Sequence, residues 1–287
     1  VTAQGVASQT GSGPEPPNTP LNQGRPHSAR MYDYFLGGKD NYVADREAAA
    51  KVLTLWPGVM IAARTNRAWM HRAIRFLAAE RGIRQFLDIG TGIPTRPNLH
   101  EVAQGIAPDA RVVYVDNDPI VLAHAQALLK SSPEGRTAYV HGDITEPGNI
   151  LASPDLTEVL DLSRPVALSL VSLLHFVPDE WGPYEIVQQL VDALAPGSFL
   201  VLSHITPDFD PEATQKTVQV YRSGGIPGKI RTRDEVERFF TGLELAEPGL
   251  EVPHRWRTDL AERDSPVETG DVTDEEVSFW AGVAQKP

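Results

Sequence analysis

The segment Phe86-Leu87-Asp88-Ile89-Gly90-Thr91-Gly92-Ile93-Pro94 constrains the fold more than any other, because an apolar run of strand length feeds directly into a two-glycine turn. Glycines at the end of a strand let the backbone turn sharply toward a helix and approach a ligand closely. From Gln85 onward, short apolar runs alternate with helical patterns. The pattern predicts strands over 85–89, 112–115, 138–140, 166–171 and 198–203, with helices near 98–106, over 119–130 and over 181–194. This is the βαβ rhythm of a doubly wound α/β sheet. Asp118 before Pro119 supplies an N-cap and an N1 proline, which places the start of the second of these helices.

The flanking regions read differently. Residues 1–24 are rich in Gly, Ser, Thr, Gln and Pro with almost no large apolar side chain, and are expected to form a disordered tail. Residues 25–82 are expected to form an amino-terminal helical cap. Its stretch from Arg30 to Asp45 holds four aromatics and the Gly37-Gly38 pair, suggesting a functional loop between short helices. Its helix runs from about Arg64 to Arg81, with Met70, Ile74 and Leu77 on one stripe and Gly82 placed to end it. Beyond the sheet, the sequence predicts a helix near 211–222 and another opened by the Thr232/Glu235 capping box. Late strands at 243–247 and 277–284 suggest an antiparallel hairpin on the sheet edge.

Charge and composition narrow the partners. A net charge of -12 argues against nucleic acid as substrate, since such affinity rests on Lys and Arg contacts to phosphate. Residues 25–84 nevertheless carry 11 basic and 5 acidic side chains, a basic segment on an acidic body. It could attract a carboxylate ligand or simply dock a solvated helix face by charge. No apolar run approaches the roughly 20 residues of a membrane span and no leader pattern opens the chain, so no membrane partner and a cytoplasmic location are expected. The chain has no Cys, which excludes disulfides, thiolate metal sites and a cysteine nucleophile. No paired ligand spacing supports a metal site, because His100 with Glu101 and His124 stand without partners.

The binding constellation extends past the glycines. The second strand, Val112 to Val115, ends at Asp116, 24 residues after Gly92. In nucleoside-binding sheets an acid at about this spacing lies at the neighbouring strand end and accepts both ribose hydroxyls. Asp118 competes, but its place before Pro119 assigns it to capping. A dinucleotide needs backbone N–H groups at the helix terminus for its pyrophosphate. Here Pro94 has no N–H and Thr95 stands where the last glycine of Gly-x-Gly-x-x-Gly belongs, which disfavours NAD. A phosphate-free nucleoside such as S-adenosyl-L-methionine tolerates the loss better.

At these residues the chain resembles class I S-adenosylmethionine-dependent methyltransferases, whose first motif reads acid-x-Gly-x-Gly-x-Gly. Asp88, Gly90 and Gly92 match it, Thr91 lies between the glycines, and Pro94 departs. His141-Gly142-Asp143-Ile144 is similar to the family's adenine site, and Asp116-Asn117 to its ribose site. The segment Ser172 to Asp179 is similar to the stretch beneath the sulfonium, and Leu194 to Leu202 to the helix-turn-strand that follows. The amino-terminal run Pro26 to Asn41, with Asn66-Arg67, resembles a narrower group. This is the actinobacterial S-adenosyl methyltransferase family, formerly catalogued as a domain of unknown function. The resemblance implies a Rossmann-like, seven-stranded, mostly parallel sheet over residues 83–287. It also implies S-adenosyl-L-methionine as cofactor, S-adenosyl-L-homocysteine as product, and no established acceptor.

Methyl transfer is an in-line displacement, so the enzyme contributes mainly by aligning the acceptor, expected to be a small molecule, in a dry pocket. A hydroxyl or protonated amine must lose a proton, and His175, just past the fourth strand, is the first candidate base, with Tyr34 and His204 behind it. Arg67 or Lys39 could meet the methionine carboxylate, with the Gly37-Gly38 turn folding over the cofactor. Arg30, Tyr34 and Asn41 are further polar groups of the cap. A catalytically silent binding module is the alternative that the altered glycine motif leaves open.

Overall fold

A computed structural model describes residues 23–128, 130–261 and 272–287. Most of the predicted tail therefore lies outside the described residues, as does much of the acid-rich loop before the last strand. The described chain opens with three helices, α1 (Ser28–Phe35), α2 (Val43–Leu55) and α3 (Val59–Arg75), the last continued by a π-type turn at Phe76–Glu80. Gly82, with φ of 69°, ends it by adopting the left-handed conformation that a side chain resists.

The alternating part follows: β1 (Gln85–Ile89), α4 (Leu99–Ile106), β2 (Arg111–Asp116), α5 (Pro119–Leu128), β3 (Arg136–His141), α6 (Pro147–Leu151), α7 (Pro154–Thr157), β4 (Ala167–Val171), α8 (Pro183–Asp192) and β5 (Phe199–Ile205). The chain then forms α9 (Pro211–Ser223), α10 (Arg233–Glu237), β6 (Glu244–Leu245), α11 (Asp274–Val277) and β7 (Phe279–Gln285). Three of these boundaries follow from local chemistry. Asp118 accepts from the Ile120 N–H at 2.9 Å, starting α5 where its Asp-Pro pair requires. Thr232 and Glu235 close a reciprocal capping box at α10. Asp210 caps α9 by accepting from Ala213, and Pro211 occupies its first turn.

The seven strands lie in the order β3-β2-β1-β4-β5-β7-β6. The first five are parallel, while β7 runs antiparallel between β5 and β6. The late hairpin thus forms the sheet edge with its second strand on the inside. The β6 arm is two residues long, shorter than expected, because the chain turns away after Ala246, whose N–H still donates to the Val283 carbonyl while its own carbonyl accepts from Gly249. β1, β5 and most of β4 are buried on both faces, which is why they read as continuous apolar runs without alternation.

One face of the sheet packs Leu87, Val113, Leu168 and Leu200 against Ile186, Val187, Leu190 and Val191, the buried stripe of α8. The other face packs Phe86, Val112, Val201 and Val283 against Trp69, Ala73 and Ile74 of α3 and Leu99, Val102 and Ala103 of α4. The helix that the sequence grouped with the amino-terminal segment is thus a layer of the sheet. Arg72 of α3, 1% exposed, donates to the carbonyls of Trp256 and Pro253 and ties the late loop to this layer. A third cluster joins Met31, Phe35, Ala49, Val52 and Trp56 of α1, α2 and the turn after α2 to Ile205, Ala213 and Phe279. It roofs the carboxyl ends of β4 and β5 and the amino end of the antiparallel β7.

Candidate active site

β1 lies between β2 and β4, the point where strand order reverses and connections depart to opposite faces. Open α/β sheets bind ligands at the carboxyl edge of such a switch point. There the structure has a cavity whose floor is made by the loops that follow β1, β2, β3 and β4.

The glycine turn is held tightly. Gly90 and Gly92 have φ of 74° and 68°, and the Gly90 N–H donates to the Val115 carbonyl at 2.8 Å. A Cβ on Gly90 would come within 2.6 Å of the Leu173 side chain, whereas one on Gly92 would touch only Ala29 of α1, at 3.9 Å. The first glycine is therefore needed for packing as well as conformation, and the second opens toward the cavity. The Thr91 hydroxyl donates to the Asp88 carbonyl at 3.1 Å and pins the turn.

Asp116 ends β2 and faces the cavity, 6% exposed. Its Oδ2 accepts from the Gly92 N–H and its Oδ1 from the Asp118 N–H, both at 2.9 Å. A carboxylate has about four lone-pair sites, so each oxygen keeps room for one further donor. Burial raises its pKa, and the two amides pull it back. Asp118 caps α5 and in addition accepts from Arg30 of α1 at 3.0 Å. Arg30 also donates to the fully buried Asp45 of α2 at 2.9 Å, so one guanidinium ties α1 and α2 to the loop after β2.

Asp88 and Arg67 mark one wall. Burial lifts the Asp88 carboxyl from 3.8 to about 6, against the pull of Ser169 and of the Arg67 guanidinium. Arg67 donates to the carbonyls of Thr95 and Pro97, and its buried Nε has no partner. The loop that lacks an amide at Pro94 is thus held by an arginine from α3. Gly142 and Ile144 line the cavity beyond Asn117. A Cβ on Gly142 would lie within 2.9 Å of Ile150, so only glycine lets the loop after β3 pack this closely.

Asp143, grouped with these in the sequence, stands outside the lining. Its Oδ1 accepts from the Thr145 N–H and hydroxyl and its Oδ2 from Asn117, which together hold its pKa down against burial. Lys39 is exposed and Tyr34 packs edge-on against Phe35, and neither lines the cavity. Tyr34 is about 200° around α1 from Tyr32, which does line it. The Tyr32 hydroxyl donates to the Ala63 carbonyl at 3.0 Å and accepts from Asn66 at 3.1 Å.

Past β4 the chain reaches Ser172 at a positive φ of 57°, sparsely populated for a side-chain-bearing residue. Its N–H donates to Ser203, which holds the turn against β5. His175 follows, 5% exposed, with Nδ1 buried and unpartnered. Burial, His204 and Arg231 hold its pKa well below the ordinary 6.5. His204 lies behind it, rings 5.5 Å apart, with Nε2 accepting from Arg231 at 2.9 Å and a pKa lowered to about 3 by burial. The fully buried Arg231 also donates to the carbonyls of Leu174 and Val177, on either side of His175, and to Asp179. His204 is therefore committed to Arg231 and does not line the cavity.

Sequence reasoning missed Tyr32, Trp56, Thr217, Tyr221 and Phe279, all on the wall. Thr217 and Tyr221 stand one helical turn apart in α9 on the stripe of buried Ala213, a period visible in the sequence. Which cavity that stripe faces is a matter of tertiary packing.

The sheet order and this strand-edge site define a class I methyltransferase dependent on S-adenosyl-L-methionine. The chain belongs to the S-adenosyl methyltransferase family, whose model matches residues 14–287. A DUF574 family protein from Streptomyces avermitilis is 48% identical with a TM-score of 0.88, over 93% of this chain and 100% of its own. A candidate methyltransferase from Thermobifida fusca is 41% identical with a TM-score of 0.83, over 94% of this chain and 98% of its own. The plantazolicin methyltransferase BpumL, solved with S-adenosylhomocysteine, shares the fold at 13% identity and a TM-score of 0.51, over 90% of this chain and 95% of its own. No curated protein matches. Among the described residues, no helix is long and apolar enough to cross a membrane. The cofactor fits what is present: a glycine, Gly92, open toward the cavity, carboxylates at two strand ends, and a buried guanidinium nitrogen without a partner among the described residues.

Proposed function

We propose that the protein transfers the methyl group of S-adenosyl-L-methionine to a small molecule held under α1, α2 and α9. The observation that carries this reading is the continuity of one cavity from Asp116 and Gly92 at the strand ends to Phe176, Tyr221 and Phe279 beneath the roof. When bound, the cofactor supplies an electrophilic methyl group on a sulfonium. The remaining lone pairs of Asp116 would accept the ribose hydroxyls, with Asn117 beside them. Gly142 and Ile144 would flank the adenine. Asp88 and Arg67, opposite charges that make no direct ion pair with each other, match the ammonium and carboxylate of a methionine end.

His175 is held neutral, so its lone pair is available to take up the proton that an acceptor hydroxyl gives up on methylation. The apolar wall excludes water from the reacting groups, and the Arg231 bonds to the carbonyls of Leu174 and Val177 fix where the imidazole stands. The test is twofold. Calorimetry with S-adenosylhomocysteine should show one site per chain. Radiolabelled methyl from the cofactor should appear in the small-molecule fraction of a cell extract, and label found only in macromolecules would overturn the small-molecule reading.

A further inference from the structure

The roofed half of the cavity differs in kind from the half at the strand ends. Its wall is built from rings, including Phe35, Trp56, Phe176, Tyr221 and Phe279. The ionised side chains of the lining, Arg67, Asp88 and Asp116, all belong to the strand-end half. Among the described residues, the roofed half therefore has no carboxylate to pair with a bound cation and no cation to pair with a bound anion. Burying an unpaired charge is strongly unfavourable. A cation meets a further obstacle in Arg231, which already lies close enough to His175 to oppose its protonation.

The same wall carries polar groups without partners. The Thr217 hydroxyl is buried with no hydrogen bond, and so is Nδ1 of His175. Tyr221 presents a phenol that burial keeps protonated, one helical turn from Thr217 and with its ring 5.3 Å from Phe176. An unsatisfied buried polar group costs about 1–3 kcal/mol, so a ligand bringing one hydroxyl would recover part of that cost. A ring system suits the rest of the wall, since aromatic groups prefer offset or edge contacts with one another.

We infer that the methyl acceptor is an uncharged ring compound carrying a hydroxyl group, seated among Trp56, Phe176 and Phe279 with its hydroxyl toward Thr217, Tyr221 and His175. This rests on the methyltransferase reading of the site. It separates the chain from enzymes acting on amino acids, phosphorylated metabolites or cationic amines.

The full chain, saturated with S-adenosylhomocysteine, would be titrated at pH 7 by calorimetry with 2-naphthol, 2-naphthoate and 2-naphthylmethylammonium. The expected order puts 2-naphthol at least about 10-fold tighter than either charged analogue. Thr217→Val and Tyr221→Phe should each weaken 2-naphthol by about 3- to 10-fold and leave naphthalene unchanged. A charged analogue that binds as well as 2-naphthol, no measurable binding of 2-naphthol, or variants without effect would each overturn the inference. The cofactor product is titrated alone in parallel: its failure to bind would count against the methyltransferase reading, whereas its binding with a failed naphthol series would count against the acceptor class only.

Discussion

At the strand ends of the cavity, polar groups are already held in place by the protein itself. Asp116 accepts from Gly92 and Asp118, Thr91 is fixed to the Asp88 carbonyl, and Arg67 is fixed to Thr95 and Pro97. Under the roof, Thr217 and His175 keep buried polar atoms that nothing among the described residues satisfies. The first half is organised before a ligand arrives, as suits a group that is the same in every turnover. The second waits for its partner to come from outside, as suits the group that sets specificity. Among the buried contacts that join the two halves is Arg30 of α1, which reaches both Asp45 and Asp118.

That joint is where the comparison is most easily broken. Arg30→Met would leave two buried carboxylates short of their cation, and urea unfolding should show a loss of about 3–5 kcal/mol. A loss below 1 kcal/mol would mean that roof and floor are held together by apolar packing instead. Gly90→Val combines a left-handed backbone position with a clash against Leu173. Binding of S-adenosylhomocysteine should weaken on the order of 100-fold, read by calorimetry. Asp116→Asn keeps one acceptor and loses the charge, so the same titration should show a decrease of about 10- to 30-fold.

A separate expected effect, read against pH, concerns Asp88. Its folded-state pKa of about 6 exceeds the ordinary 3.8, so between these values the folded chain keeps a proton that the unfolded chain has released. Stability from this group therefore falls as pH rises through that window, by up to about 1.4 kcal/mol per pH unit. In Asp88→Asn the decline should be shallower, measured as unfolding free energy from pH 4 to 6. Equal slopes would show that Asp88 is better solvated than its position at the end of β1 implies.

The strand-end half was largely legible because its parts are local. A glycine that needs positive φ, an Asp-Pro cap and an acid at the end of a strand each declare themselves within a few residues. That the first five strands are parallel follows from the βαβ rhythm, whereas their order in the sheet is set by packing. The roofed half was not legible in the same way. Tyr34 and Tyr32 are both plausible from the string, and only the rotation of α1 against α2 and α3 brings Tyr32 to the wall. Lys39 carries the charge expected near a carboxylate, yet the turn after α1 leaves it exposed while Arg67, on a helix packed against the sheet, reaches the cavity. Asp143 lies in a motif similar to an adenine site, and in the fold Thr145 two residues on and Asn117 across the loop donate to its oxygens while its neighbours Gly142 and Ile144 line the cavity.

By itself, then, the stretch from Asp88 to Thr95, with Asp116 at the next strand end, pointed to a phosphate-free nucleoside cofactor at a sheet edge, because backbone conformation, a missing amide and strand-end position are properties of short segments. Tertiary structure alone decided what faces that cofactor. Thr217 and Tyr221 come from a helix more than 100 residues away, and Trp56 and Tyr32 from helices that precede the sheet. Their meeting depends on how separate apolar stripes pack, and no spacing along the chain encodes that contact.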